Sequence, residues 1–135
     1  MTSSKIIVKF IIEIAGKPKD NVDKALALVL DKLKEKKGDY RVKDSVLEES
    51  LLDEKTTLYS GFLDVEVQFE NIGSLLGFII DYTPTSVEIV DPENISIKCN
   101  ELTNFLNDSS HAFLSMQNQI RILNANLYNI QNSKK

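Results

Sequence analysis

The segment from Leu102 to Gln131 carries two interleaved seven-residue series. Leu106, Phe113, Ile120 and Leu127 form one, and Leu102, Ser109, Met116, Leu123 and Ile130 form the other. An α-helix turns once per ~3.6 residues, so a seven-residue repeat returns each series to nearly the same side and joins the two into one apolar seam of the coiled-coil kind. A strand, with its period of two, cannot produce this spacing. No proline or glycine interrupts the segment. It predicts one long helix over 100–131, and a helix with such a seam must lay that seam against something.

The flanks of the seam narrow the options. From Ser109 to Gln131 the only formal charge is Arg121, so the ion pairs that usually fix the register of two helices are missing. About 30 residues of helix span roughly 45 Å, whereas an ordinary strand of five or six residues spans only ~17–20 Å. On those lengths the helix overhangs a small domain, and its expected role is assembly. The partner is a second copy of the chain, giving a homodimer, or another protein. Phe105, Leu114 and Ile122 lie outside the seam and widen the stripe toward what a helix folded back on its own domain would show.

At 135 residues and 15.2 kDa, the chain before that helix has room for one domain with one core. Ile6, Val8, Phe10, Ile12 and Ile14 alternate with Ile7, Lys9, Ile11 and Glu13, which predicts a strand with a second face that is half apolar. Asp20 then caps a helix striped by Val22, Leu26, Val29, Leu30 and Leu33 and stopped at Gly38. Residues 40–47 predict a weaker edge strand. Tyr59, Gly61, Leu63, Val65, Val67 and Phe69 alternate along a strong one. The acidic stretch between them, "EESLLDEK", is expected to be a solvated loop.

Ile72, Leu75, Leu76 and Ile79 return to helical spacing behind Asn71 as cap, and Pro84 disfavours helix at Thr83. Gly73 and Gly77 share a face on which bare backbone could approach a sheet. "TSVEIVD" and "NISIKC" predict a last strand, or a broken pair of strands interrupted at Asp91-Pro92-Glu93-Asn94.

The order βαββαβ followed by a long α predicts an α+β fold, a ferredoxin-like sandwich with the first and third strands central. The expected organisation is a sheet domain over 1–99, an assembly helix over 100–131 and a disordered tail over 132–135. Two helices on one face of the sheet leave the other bare, with Ile7, Ile11 and Phe62 exposed among Lys9, Glu13, Asp64, Glu66 and Gln68. That makes a modest apolar patch, a second candidate contact surface.

A net charge of -4 and a pI near 5.0 argue against a nucleic-acid surface, which needs clustered Lys and Arg. No apolar run approaches the ~18 residues of a membrane span. The start "MTSSKIIVKF" has no secretory pattern. The expectation is a soluble, cytoplasmic protein.

Chemistry-bearing residues are sparse. His111 falls opposite the seam with no orienting acid and nucleophile beside it. Cys99 reads as a small buried hydrophobe at a strand-to-helix junction. One His and one Cys cannot build a structural zinc site in one chain, and the Ca²⁺-loop spacing is missing from "EESLLDEK". No catalytic, cofactor or metal-binding residues are expected, and no enzyme activity.

Local resemblances widen the alternatives. "AGKPKDNVDKAL" resembles the strand-loop-helix entry of ACT-type regulatory domains, without their Pro-Gly pair. Such domains share the βαββαβ order and bind small effectors at dimer interfaces. That resemblance implies an effector site built from the loop Gly16 to Asn21 and the turn Asp81 to Ser86. "YSGFLDVEVQF" is similar to the aromatic strand of RNA-recognition motifs, but Asp64 and Glu66 beside Phe62 repel phosphate. Taken together, "VKFIIEIAGKP", "GFIIDYTPTSVEIVDPE" and "NELTNFLND" resemble a group of short, uncharacterised archaeal proteins, a likeness that covers most of the chain and implies no activity.

Overall fold

The computed structural model describes residues 5–35 and 39–133. Gly38, the expected helix stop, lies outside them, as do residues 134–135 of the expected tail. The chain is α+β and divides into two compact units, Met1–Ser96 and Ile97–Lys135.

In the first unit, β1 (Ile6–Gly16), α1 (Lys19–Glu35), β2 (Tyr40–Leu47), β3 (Leu51–Asp53), β4 (Leu58–Phe69), α2 (Ile72–Tyr82) and β5 (Ser86–Asp91) follow in order. The sheet is antiparallel in the order β2-β4-β1-β5, and β3 pairs with the start of β4. β1 and β4, the two strands with the strongest alternation, are therefore central, and the weaker β2 is an edge.

Register turns that alternation into a core. Ile6, Val8, Phe10 and Ile12 stand opposite Phe69, Val67, Val65 and Leu63, so all eight side chains point to one face, and all are buried. Val22, Leu26 and Leu33 of α1 and Leu75 and Phe78 of α2 complete the same cluster. The ring of Phe78 stacks on Phe10 at 4.5 Å between centroids and meets Phe69 edge-on at 5.5 Å. Such ring pairs add ~0.5–1.5 kcal/mol each beyond the area they bury. Both helices thus cover one side of the sheet and leave the other open.

Four expectations need correction. The acidic stretch is not all loop: Leu51, Leu52 and Asp53 pair with Ser60, Tyr59 and Leu58. The hairpin closes where Thr57 adopts φ 60° and donates its N–H to the Asp53 carbonyl at 2.8 Å. "NISIKC" is not a strand, because β5 ends at Asp91 and the next element, a helix, begins at Cys99. β1 and β4 run to 11 and 12 residues, so β4 spans ~40 Å, about twice the length assumed from ordinary strands. Finally, a Cβ on Gly77 would meet nothing within 4 Å and one on Gly73 only Asn71 Oδ1, so neither glycine brings α2 against the sheet. Gly61 is the close approach: a Cβ there would collide with Leu26 Cδ1 of α1 and sit 3.2 Å from Ser50 Cβ.

The second unit contains α3 (Cys99–Ser133), a continuous helix of 35 residues, ~52 Å long at 1.5 Å per residue.

Candidate functional site

The helix α3 holds the first candidate surface. Leu106, Phe113, Ile120 and Leu127 occupy the a positions of a heptad and Leu102, Ser109, Met116, Leu123 and Ile130 the d positions. Cys99, seven residues before Leu106, extends the a series to the first residue of the helix. All eight large residues of the seam are exposed, from 39% for Leu102 to 65% for Leu123, and no residue of α3 is buried. Phe105, Ser109 and Ala112 are partly covered. Long side chains on a helix lean toward its N-terminus and meet their neighbours three and four residues away, so the seam is a continuous apolar strip.

Two flanks border it. On one side stand Phe105, Ala112, Gln119 and Asn126, the g positions; on the other Thr103, Ser110, Gln117 and Asn124, the e positions. The first begins apolar and turns polar after Ala112, and the second is polar throughout. Neither carries a charge.

The second surface is the open face of the sheet. Cross-strand register places Asp44, Glu66, Lys9 and Glu88 in one row, and Val46, Asp64, Ile11 and Ser86 in the next. Lys9 stands directly between Glu66 and Glu88, the arrangement that favours opposite charges across strands. These rows line a shallow depression of about 420 Å³. Of the apolar residues expected here, Phe62 is 47% exposed while Ile7 and Ile11 are half-buried. The register separates Ile7 from Ile11 by the charged row. It also adds Val46 and Leu51, both exposed, on the strands beside Phe62. Sequence alternation alone could not add them, because which strand lies beside β4 is a tertiary fact.

The loop and turn that an effector site would use carry contacts of their own. Lys19 Nζ lies 2.9 Å from Asp23 Oδ2, and Asp23 Oδ1 accepts from the Ser50 backbone N–H at 2.8 Å. The hydrogen bond from Lys19, with that from Ser50, lowers the Asp23 pKa from 3.8 to about 2. In the turn, Thr83 caps α2 in the left-handed region at φ 41°, and Thr85 donates both its N–H and its hydroxyl to the Ile11 carbonyl, at 2.8 and 3.1 Å. Asp81 and Tyr82 border a cleft of about 310 Å³ with Asp39, Tyr40 and Ser74. Burial and a hydrogen bond with Tyr82 push the Tyr40 hydroxyl above its usual pKa.

His111 is exposed on α3, opposite the seam. Cys99 is exposed too, against the expectation of burial, because it opens a helix none of whose residues is buried. Among the described residues no group of three or more His, Cys, Asp or Glu side chains is placed to hold a metal ion, and no helix is long and apolar enough to cross a membrane.

The model of the MJ0538 family, a family named after a protein of Methanocaldococcus jannaschii, matches the chain over residues 7–134. No curated protein and no solved structure matches it.

Proposed function

We propose that this chain, which belongs to the MJ0538 family, is a non-enzymatic assembly module whose α3 seam packs against the seam of a second copy. One observation carries the reading: an uninterrupted 35-residue helix presents eight large apolar side chains on one strip, all of them exposed. Burying such a side chain fully is worth roughly 1.5–3 kcal/mol, and association costs about 4–15 kcal/mol. Discounted by half for surface already covered, the gain over two copies is about 12–24 kcal/mol, at or above the upper part of that range. A second copy also offers a seam of matching length and equally free of charge, so no unpaired ion is buried.

The first unit reads as a ferredoxin-like sandwich. Setting the short β3 aside as an addition to β4, the strand order runs second, third, first, fourth in chain order, which supports that reading. On its open face, Val46, Leu51 and Phe62 offer a smaller contact surface bordered by carboxylates.

Light scattering on the full chain tests the assembly. Wild type is expected at the mass of two chains. Ile120→Asp with Leu127→Asp is expected at one, with an unchanged far-UV signature from the sheet. A mass of one chain for both proteins ends the reading. Thermal-shift screening against amino acids and nucleotides addresses the effector-binding alternative: a ligand that raises Tm would favour it.

A further inference from the structure

We infer that two copies of α3 pair antiparallel, in the register that sets Phe113 against Met116 of the second copy; the inference rests on the self-association proposed above.

Layer volume is the main argument. Parallel packing stacks each seam residue on its own counterpart, so Phe113 meets Phe113 in one layer and Ser109 meets Ser109 in the layer beside it. One layer is overfilled and its neighbour underfilled, and both defects are destabilising in a close-packed interface. The antiparallel register sets Leu102 opposite Leu127, Leu106 opposite Leu123, Ser109 opposite Ile120 and Phe113 opposite Met116. Each layer then holds one a and one d residue. The small Ser109 faces a branched chain, and the thioether of Met116 lies at an aromatic ring, a favourable contact. The same register runs through the whole helix without a gap, since Cys99 falls opposite Ile130.

The flanks do not oppose this choice. In a parallel pair the g flank of one helix faces the e flank of the other, which brings Phe105 to Ser110 and Ala112 to Gln117. In the antiparallel pair g faces g and e faces e, which brings Phe105 to Asn126 and Ala112 to Gln119. Each apolar flank residue meets a polar one either way. Ion pairs at these positions would normally select the orientation, and with no charge at e or g there is none to make or break.

The distribution of charge along α3 favours the same arrangement. Its acids, Glu101 and Asp108, lie toward the N-terminus, and Arg121 lies beyond them. A parallel pair sets the acids of both helices at one end and aligns the two macrodipoles; an antiparallel pair sets Asp108 level with Arg121 of the second copy and opposes the dipole ends. This contribution is screened by salt, so volume remains the deciding one.

The single cysteine makes the orientation readable. Cys99 sits at an a position. In a parallel pair it would face its own counterpart in the seam; in the antiparallel register it faces Ile130. Three full-length proteins are oxidised with copper phenanthroline and run on non-reducing gels: wild type, Ile130→Cys, and Ile130→Cys with Cys99→Ser. Light scattering before oxidation reports the mass of each.

The antiparallel register predicts a covalent dimer for Ile130→Cys alone, with wild type and the double variant staying at one chain on the gel. A covalent dimer from wild type or from the double variant overturns the orientation. Two-chain mass in all three proteins with no cross-link in any overturns the register. One-chain mass in solution for wild type overturns the self-association itself, so the two failures are distinct.

Discussion

Gly61 and Asp23 decide how closely α1 lies against the sheet. Gly61 faces α1 from β4, and a methyl group there meets Leu26 and Ser50, both fully buried. Gly61→Ala is expected to cost about 1–3 kcal/mol in overpacking, read as a lowered urea midpoint at unchanged slope. Gly77→Ala, with open space around it, is expected to be neutral or slightly stabilising through helix propensity. Asp23 joins α1 to the residue before β3 through the Ser50 backbone N–H, and Lys19 beside it holds its pKa near 2 against 3.8 in the unfolded chain. A lowered folded-state pKa contributes stability that is fully present above the unfolded value and is lost as pH falls through the folded one. The difference in urea midpoint between wild type and Asp23→Asn should therefore be constant above pH ~4 and shrink as pH falls toward ~2. A difference that stayed constant over that interval would show that the carboxylate charge plays no part.

Among the elements, α2 shows how local chemistry sets boundaries. Asn71 Oδ1 accepts the Ser74 backbone N–H at 2.9 Å, and at the other end Thr83 donates its N–H to the Ile79 carbonyl at 2.9 Å just before Pro84. Asn71→Ala should cost about 0.5–2 kcal/mol, measurable by chemical denaturation. Both boundaries were legible, because caps and prolines act within a few residues. The hairpin β3–β4 was not. Leu51 and Leu52 sit among Glu48, Glu49, Asp53 and Glu54, and a three-residue strand has no period to detect; only pairing with β4 makes it one. The length of β4, by contrast, is written in its own pattern. Alternation from Tyr59 to Phe69 covers all but the first of its 12 residues, about twice the length of an average strand.

For the whole molecule, an uncharged seam has a consequence in solution. Raising salt from ~0.1 to ~1 M shortens the screening length from about 10 Å to about 3 Å, which weakens assemblies held by surface ion pairs. The mass of this protein by light scattering should not fall over that change. A mass that did fall would place the contact on charged rows such as Asp44, Glu66, Lys9 and Glu88 rather than on α3.

What the sequence determined by itself was whatever depends on periodicity and near neighbours: two long strands, the striped α1, the capped α2 and the unbroken seam of α3. It also named most of the core, since alternation fixes which residues share a face. Tertiary structure alone decided which elements touch. It set Gly61 rather than Gly73 or Gly77 against a neighbouring element. It placed Val46 and Leu51 on the strands that flank Phe62, and Lys9 between two glutamates. The physical reason is range: caps, turns and periods are written within one or two turns of chain, whereas register across strands is settled by burial summed over residues far apart in sequence.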